Sequence, residues 1–388
     1  MKTYYYDHSA STPMLPVVIE TMSELMKLHY ANAAALHRSG ADAMKLVDRA
    51  RASIAERMGA EPSEVVFTSG GTESNNLAIK GTVNKVARTT KHIILSAIEH
   101  ASVYECVRQL ESLGVQSTIV PVDSLGRVNP EDVAKAIRKD TVLVSIMQVN
   151  NETGAIQRIR EIGDVISTHP QVRFHVDGVQ AIGKVPFLWK EWGVHLYTGS
   201  AHKFGGPKGM GFLLVKNGIE LASLLTGGGQ EQGVRSGTHN VPGIVAMSQA
   251  LRLTLEGRDA RRERMFEMRR QLLKRIEDIP ELLLNGADAD NEDTAPHIIN
   301  LSYPGMRPEV IIHMLEKQGV LVSSQSACSS KSLLPSRVLL AMGHDAERAS
   351  GSIRISFGDE HTWNDIEILS DKLKAVVAEL RPLERNLK

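Results

Sequence analysis

At 388 residues the chain is long enough for a large core and, on length alone, for two packed units. Lys plus Arg equals Asp plus Glu at 45 each, so no global field recruits nucleic acid or an anionic membrane, and neither is expected as a direct partner. Hydrophobic residues at 42% and charged residues at 23% are those of a globular protein, and two cysteines are too few for a disulfide framework or a cysteine-rich zinc site, so no metal is expected.

The opening MKTYYYDHSAS has no apolar core of signal-peptide length, and no later run approaches the roughly 20 apolar residues of a membrane span. A cytoplasmic location is the expectation. EVVFTSGGTE then predicts a strand running into a Gly-rich turn, with SNNLAIKGTV as the helix after it. KHIILSA is a strand and ASVYECVRQLESLG a helix, whose Val103, Cys106, Val107, Leu110 and Leu113 fall on one stripe. Cys106 therefore reads as a core residue. TVLVSIMQ, VRFHVDG and GVHLYTGS are further strands, with IREIGDVISTH a helix between the first two. This alternation predicts an α/β fold with a mostly parallel sheet covered on both faces. EGRDARRERMFEMRRQLLKRIEDI reads as a long helix with Met265, Met268, Leu272, Leu273 and Ile276 inward, leading into a second α+β unit with HIINLSYPG and GSIRISFGD. Its arginines fit a solvated face better than a docking surface.

Two stretches carry chemistry. TGSAHKFGGPKGMG puts Lys203 after a strand, beside Ser200 and His202, and before a turn that lets backbone approach a ligand. A lysine at the carboxyl edge of an α/β sheet can form a Schiff base with a carbonyl cofactor; taken alone it is equally a surface lysine at a strand end. Asp177 in HVDGVQAIGK, at another strand end, could hold a pyridinium nitrogen protonated. Gly70, Gly71 and Thr72 in TSGGTESNN offer a phosphate cradle at a helix start, and GGGQEQGVRSGTHN could add donors. Neither Gly-rich loop supplies the G-x-x-x-x-G-K-[ST] of a P-loop, and no G-x-G-x-x-G opens a helix after a first strand. The second stretch is SSQSACSSKSLL, where Cys328 stands among serines with little apolar surface to bury. The reactivity of such a cysteine, rather than its packing, decides what it is for.

With these residues in hand, the chain resembles the NifS/IscS-like cysteine desulfurases, in the class V aminotransferase group of fold-type I pyridoxal phosphate (PLP) enzymes. The motifs TSGGTESNNLAIKG, EHASV, VNNETGAIQ, HVDGVQAIGK, SAHKFGGPKGMG, GGGQEQGVRSGT and SACSS carry the resemblance, in order. It implies a large PLP-binding domain, residues 15–255, with a mostly parallel seven-stranded sheet. It also implies a smaller α+β domain, residues 256–388 with 1–14, bearing the cysteine loop 323–335.

Residue by residue, the resemblance implies that Lys203 bonds PLP and shuttles the substrate α-proton. Asp177 pairs with the ring nitrogen, Gln180 bonds the phenolic oxygen, and His100 stacks on the ring and takes part in proton transfer. Gly71, Thr72, Ser200 and His202 hold the phosphate, joined by Thr238 from a neighbouring subunit, so a homodimer is expected. Asn151 lies by the substrate carboxylate, which Arg354 clamps; read alone, Arg354 is a solvated strand charge. The implied reaction converts L-cysteine to L-alanine and leaves the sulfur on Cys328 as a persulfide, for an iron–sulfur scaffold or a tRNA thiouridylase. A selenocysteine lyase or another class V aminotransferase is the alternative. The cysteine segment has the longer form of the NifS-like branch, and the RTGHHC of the SufS-like branch is absent, which implies delivery without an obligatory activator. Departures from the family pattern are ANAAALHRSG, which keeps Asn32, His37 and Gly40 but lacks the usual proline and serines, Gln232 where arginine is usual, and Asp359 where a basic residue is usual.

Overall fold

The computed structural model describes residues 2–325 and 334–384, so Cys328 lies outside the described residues. Seven strands form one sheet: β1 (Val65–Thr68), β2 (His92–Ser96), β3 (Gln116–Val120), β4 (Thr141–Met147), β5 (Arg173–Asp177), β6 (Leu196–Ser200) and β7 (Gly211–Val215). Their order is β1-β7-β6-β5-β4-β2-β3. All seven residues of β4 are buried, as a strand covered on both faces requires. The pairings β6-β5-β4-β2-β3 are parallel, while β7 runs antiparallel to both β1 and β6. The reversal follows from the link: residues 201–210 are too few for a helical crossover, so the chain turns straight back.

Helix α1 (Gly71–Lys85) follows β1, and α2 (Ala101–Glu111) follows β2. Cys106 is buried on α2, and burial pushes its thiol up to about 11, so it is inert packing. Leu113 departs from the predicted stripe. The helix ends at Glu111, Gly114 takes a left-handed φ of 90°, and Leu113 is 75% exposed. Three helices that the sequence reading passed over, Pro16–Leu28, Arg38–Met58 and Val241–Leu255, pack together and bury Val18, Val47, Ile54, Ile244 and Leu251 against Phe67 and Phe174.

A second core gathers Met265, Met268, Leu272 and Ile276 of the long helix Arg258–Ile276. They meet Ile299, Leu301, Ile353 and Ile355 of an antiparallel sheet ordered Ser352–Ser356, Ile298–Ser302, Leu283–Asn285. The arginines of that helix are largely spoken for: Arg269 is buried on the carbonyls of Ile298 and Ala287, and Arg261, Arg270 and Arg275 face Asp359, Glu267 and Glu367. Tyr6 from the far end of the chain joins this core, because Tyr4–Tyr5 pairs in parallel with Val320–Leu321. Among the described residues no helix is long and apolar enough to cross a membrane.

Two ties fix the segment that leads toward Cys328. Ser323 and Arg354 exchange main-chain hydrogen bonds, Arg354 N to Ser323 O at 2.6 Å and Ser323 N to Arg354 O at 3.1 Å. Gln325 Nε2 donates to the Leu334 carbonyl at 2.8 Å. Beyond it Ser336 caps the helix Arg337–Ala341 and donates to the buried Glu152 carboxyl at 2.6 Å.

Burial also sets the acid response. His175 sits inside the sheet between Ser145 Oγ at 2.8 Å and Thr198 Oγ1 at 3.0 Å, and burial holds its ring down at about 3. The unfolded chain takes up that proton near 6.5, so His175 favours the fold fully above pH 6.5 and progressively less as pH falls toward 3. Each pH unit in that window costs about 1.4 kcal/mol. Glu99 works in the opposite sense, its folded carboxyl being pushed up to about 8 by burial. Urea unfolding of His175→Gln between pH 6.5 and 5 is expected to show a pH slope shallower than wild type by one proton. Equal slopes would refute the assignment.

Candidate active site

The carboxyl ends of β1, β5 and β6, with the starts of α1 and α2, surround a cleft of about 190 Å³. Ligand sites in α/β sheets lie at this edge because successive strands end there and helix N-termini open toward it. Gly71, Thr72, His100, Asn151, Asp177, Gln180, Ser200, His202, Lys203 and Arg354 all line the cleft, so the fold brings together ten residues that the sequence placed far apart. Thr238 is exposed and stands outside the cleft lining of its own chain, and Cys328 lies outside the described residues.

Asp177, the last residue of β5, is buried. Its Oδ1 accepts from Val179 N at 3.0 Å and its Oδ2 from Asn75 Nδ2 at 2.7 Å. Asn75 also donates to Ser102 Oγ at 2.8 Å, and Ser102 Oγ lies 2.9 Å from His100 Nδ1. His100 caps α2, its Nδ1 accepting from Ser102 N at 3.1 Å. A ring nitrogen that accepts a main-chain N–H is unprotonated, so the proton of the neutral ring sits on Nε2. Burial pushes the His100 pKa down, more than the Asp177 carboxylate pushes it up, which keeps that ring neutral at pH 7. Burial pushes Glu99 beside it up to about 8 and so keeps it neutral at pH 7, against the opposing pull of hydrogen bonds from Ser96 Oγ at 2.5 Å and Met147 N at 2.9 Å. Asp177, and not Glu99, is the acidic residue that lines the cleft.

Lys203 ends the short turn Ala201–Lys203 after β6, and its Nζ donates to the carbonyls of Ser9 and, at 2.9 Å, Ala10. Gln180 Nε2 donates to the same Ser9 carbonyl at 2.9 Å. His202 Nδ1 lies 3.3 Å from Ser11 Oγ, and burial together with the Lys203 charge pushes its ring down to about 4. Arg354 is buried: Nη1 donates to the Asn151 carbonyl at 2.9 Å and Nη2 to Asp7 Oδ1 at 2.9 Å. Asn151 thus meets Arg354 through its main chain.

At the start of α1 the backbone is shaped for close approach. Gly70 has φ 148°, and a Cβ on Gly71 would come within 2.9 Å of Val179 Cγ2. A recess continuous with the cleft adds Ser69, Lys208 and Gly209 to Gly71, Thr72, Ser200 and His202. The donors there are main-chain N–H groups, hydroxyls and an ammonium, which is the chemistry of an anion cradle.

The class V aminotransferase model matches residues 4–369. The chain belongs to the class V aminotransferase family. It is 41% identical over 380 residues to cysteine desulfurase IscS of Dictyoglomus turgidum, covering 98% of this chain and 95% of that relative. A solved NifS-like protein superposes with a TM-score of 0.90 at 33% identity, covering 98% of this chain and 99% of the other. A structure described as SspA in complex with cysteine superposes with a TM-score of 0.80, also at 33% identity, covering 92% and 99%.

Class V aminotransferases of this kind are PLP enzymes, and the residues of this member fit the cofactor. Asp177 is a buried carboxylate suited to a protonated ring nitrogen, Lys203 is a strand-end amine, and the glycine turn is open to phosphate. Asn75 Oδ1 is buried with no partner among the described residues, so a polar group is still wanted at this wall. The family resemblance located the charged residues but passed over Asn75, Ser102 and the Ser9 and Ala10 carbonyls. Asn75 had a signal, since it falls one helical turn after Gly71 and shares its face. The carbonyls had none, because any residue type can supply them.

Proposed function

We propose that the chain is a cysteine desulfurase in which Arg354 holds the L-cysteine carboxylate, Lys203 handles the α-proton and Cys328 receives the sulfur. The observation that carries this reading is the main-chain exchange between Ser323 and Arg354, which roots the cysteine-bearing segment on a residue of the cleft wall. Bound PLP supplies the electron sink that makes the substrate Cα–H acidic and its Cβ–S bond breakable.

The chain's own residues do the rest. Asp177, fixed by Asn75 and Val179 N, would hold the ring nitrogen. Lys203 Nζ takes the proton from Cα and returns it, and His100 lines the same cleft and can hold one. Cys328 Sγ acts as thiolate, the nucleophilic form of a cysteine, on the substrate sulfur. Overall, L-cysteine and the Cys328 thiol give L-alanine and a Cys328 persulfide. That persulfide is a reversible cap, suited to transfer onto the thiol of a sulfur-acceptor protein such as an iron–sulfur scaffold or a tRNA thiouridylase.

A homodimer completes the proposal, with Thr238 reaching the phosphate of the neighbouring subunit. Support comes from Thr238 being exposed on its own chain and from the apolar surface of Met26, Leu28, Tyr30 and Leu36, of which Tyr30 is 88% exposed. The two separate cores support a division into a large domain of about 15–255 and a small one of 256–388 with 1–14. A cytoplasmic site of action suits a free catalytic thiol.

The test is L-alanine and sulfide released from L-cysteine with reductant by the PLP-loaded protein, wild type against Cys328→Ser. Wild type is expected to turn over and Cys328→Ser to form no L-alanine above background. Equal rates would remove Cys328 from the reaction and favour a transaminase.

A further inference from the structure

Arg354 has more to say than that it faces the cleft. Its guanidinium offers Nε and Nη2 on one edge, the pair that grips a carboxylate side-on, and Nη1 beyond. Nη1 is taken by the Asn151 carbonyl at 2.9 Å. Nη2 is taken by Asp7 Oδ1 at 2.9 Å, and Nε is buried without a partner among the described residues. Half of the carboxylate-binding edge is therefore unpartnered and half is taken by a carboxylate that the chain itself provides. The Arg354 side chain is 1% exposed and that of Asp7 is 19% exposed, so Asp7 has solvent to turn toward while Arg354 has nowhere to go.

The main chain pins both residues. Asp7 bridges Ser356 and its carbonyl accepts from Tyr5 Oη at 3.1 Å, while Arg354 is held by Ser323. The residues that follow Asp7 form the cleft wall at Ser9 and Ala10. A buried guanidinium without a counter-ion is costly, which accounts for the presence of Asp7. Two carboxylates on one guanidinium repel each other, which sets a cost for any carboxylate that arrives.

We propose that Asp7 is a built-in competitor for Arg354. It holds Nη2 in the resting enzyme, yields the Nε–Nη2 edge to the substrate α-carboxylate, and returns when L-alanine leaves. The inference rests on Arg354 being the carboxylate clamp. Asp7 is then a positioning residue that lowers affinity for substrate and product alike and speeds product exchange. Binding at the site is weaker than a bare buried arginine would give.

The experiment compares L-alanine with L-alaninamide, which lacks the carboxylate charge, binding to the PLP-loaded enzyme, read by the change in cofactor absorbance. Wild type is expected to prefer L-alanine by less than about tenfold, and Asp7→Asn to raise that preference at least fivefold. In turnover, Asp7→Asn should lower KM for L-cysteine while kcat stays level or falls. A merely structural role for Asp7 would weaken both ligands together and leave their ratio unchanged, and an unchanged ratio overturns the proposal. Arg354→Gln separates the two readings: if the preference survives it, the clamp itself is misassigned, whereas a preference lost there but unmoved by Asp7→Asn sinks only the competitor. Should Asp7→Asn fail to hold cofactor, wild type still decides, because a preference above about a hundredfold means that Asp7 imposes no cost.

Discussion

Lys203→Ala is expected to fold, to release its cofactor on gel filtration, and to lose about 10²–10⁴-fold in L-alanine formation. The fold survives because Lys203 Nζ rests on main-chain carbonyls whose other commitments remain. Ser9 O keeps Gln180 Nε2 at 2.9 Å, and Thr12 N still reaches the His202 carbonyl at 2.9 Å. Activity does not survive, because the described cleft lining contains one lysine, and burial makes both His100 and His202 weaker bases than a free imidazole, His202 being held at about 4. Circular dichroism and the melting curve report the first half of this expectation and the alanine assay the second. Turnover within tenfold of wild type would mean that another group moves the α-proton.

Asp177→Asn is expected to cost about 10²–10³-fold in kcat and about 1–3 kcal/mol in stability, two effects with separate origins. The carboxylate accepts from Val179 N on one oxygen and from Asn75 Nδ2 on the other. An amide presents one oxygen, so one of these buried donors faces an NH₂ group and loses its partner. The rate effect comes from charge, since a neutral amide leaves the ring nitrogen without the anion that keeps it protonated. Asn75→Ala separates them, because it leaves the charge in place and removes one donor: stability should fall with a much smaller change in kcat. A kcat for Asp177→Asn close to wild type would show that this carboxylate does not set the cofactor's electron demand.

The sequence made the chemistry of this site more legible than its walls. Lys203 and Asp177 could be read because strand-end charges beside glycine turns are unusual, and the alternating strands told which edge of the sheet they share. Arg354 could not be read that way. On a strand it looks like a solvated charge, and its place in the cleft depends on a chain terminus, Asp7, meeting a strand near the other end. Pairings across so much sequence leave no periodic trace. Ser9 and Ala10 act through carbonyls, which carry no residue signature. The helix Val241–Leu255 gave a weak signal because it is buried over most of its circumference, whereas Arg38–Met58 carries a stripe of mostly small residues, Gly40, Ala43, Val47, Ala50, Ile54 and Met58, that was passed over. The reversal of β7 follows from a link length, which the sequence did contain. Leu113 shows the opposite error, a stripe extended past the helix end at Glu111 into the turn that Gly114 closes.

The hydrogen bond from Gln325 to Leu334 has a consequence for how such enzymes diversify. Because it ties residue 325 directly to residue 334, the residues on either side of the tie are held together whatever the length of chain between them. Doubling that length would cost only about 0.6 kcal/mol in closure entropy. The stretch bearing Cys328 is in this sense an exchangeable cassette. Under the proposed function, it can be lengthened, shortened or rewritten to suit a different sulfur acceptor while Arg354, Asp177 and Lys203 keep their positions. A designer could graft one in the same way, provided the tie is kept.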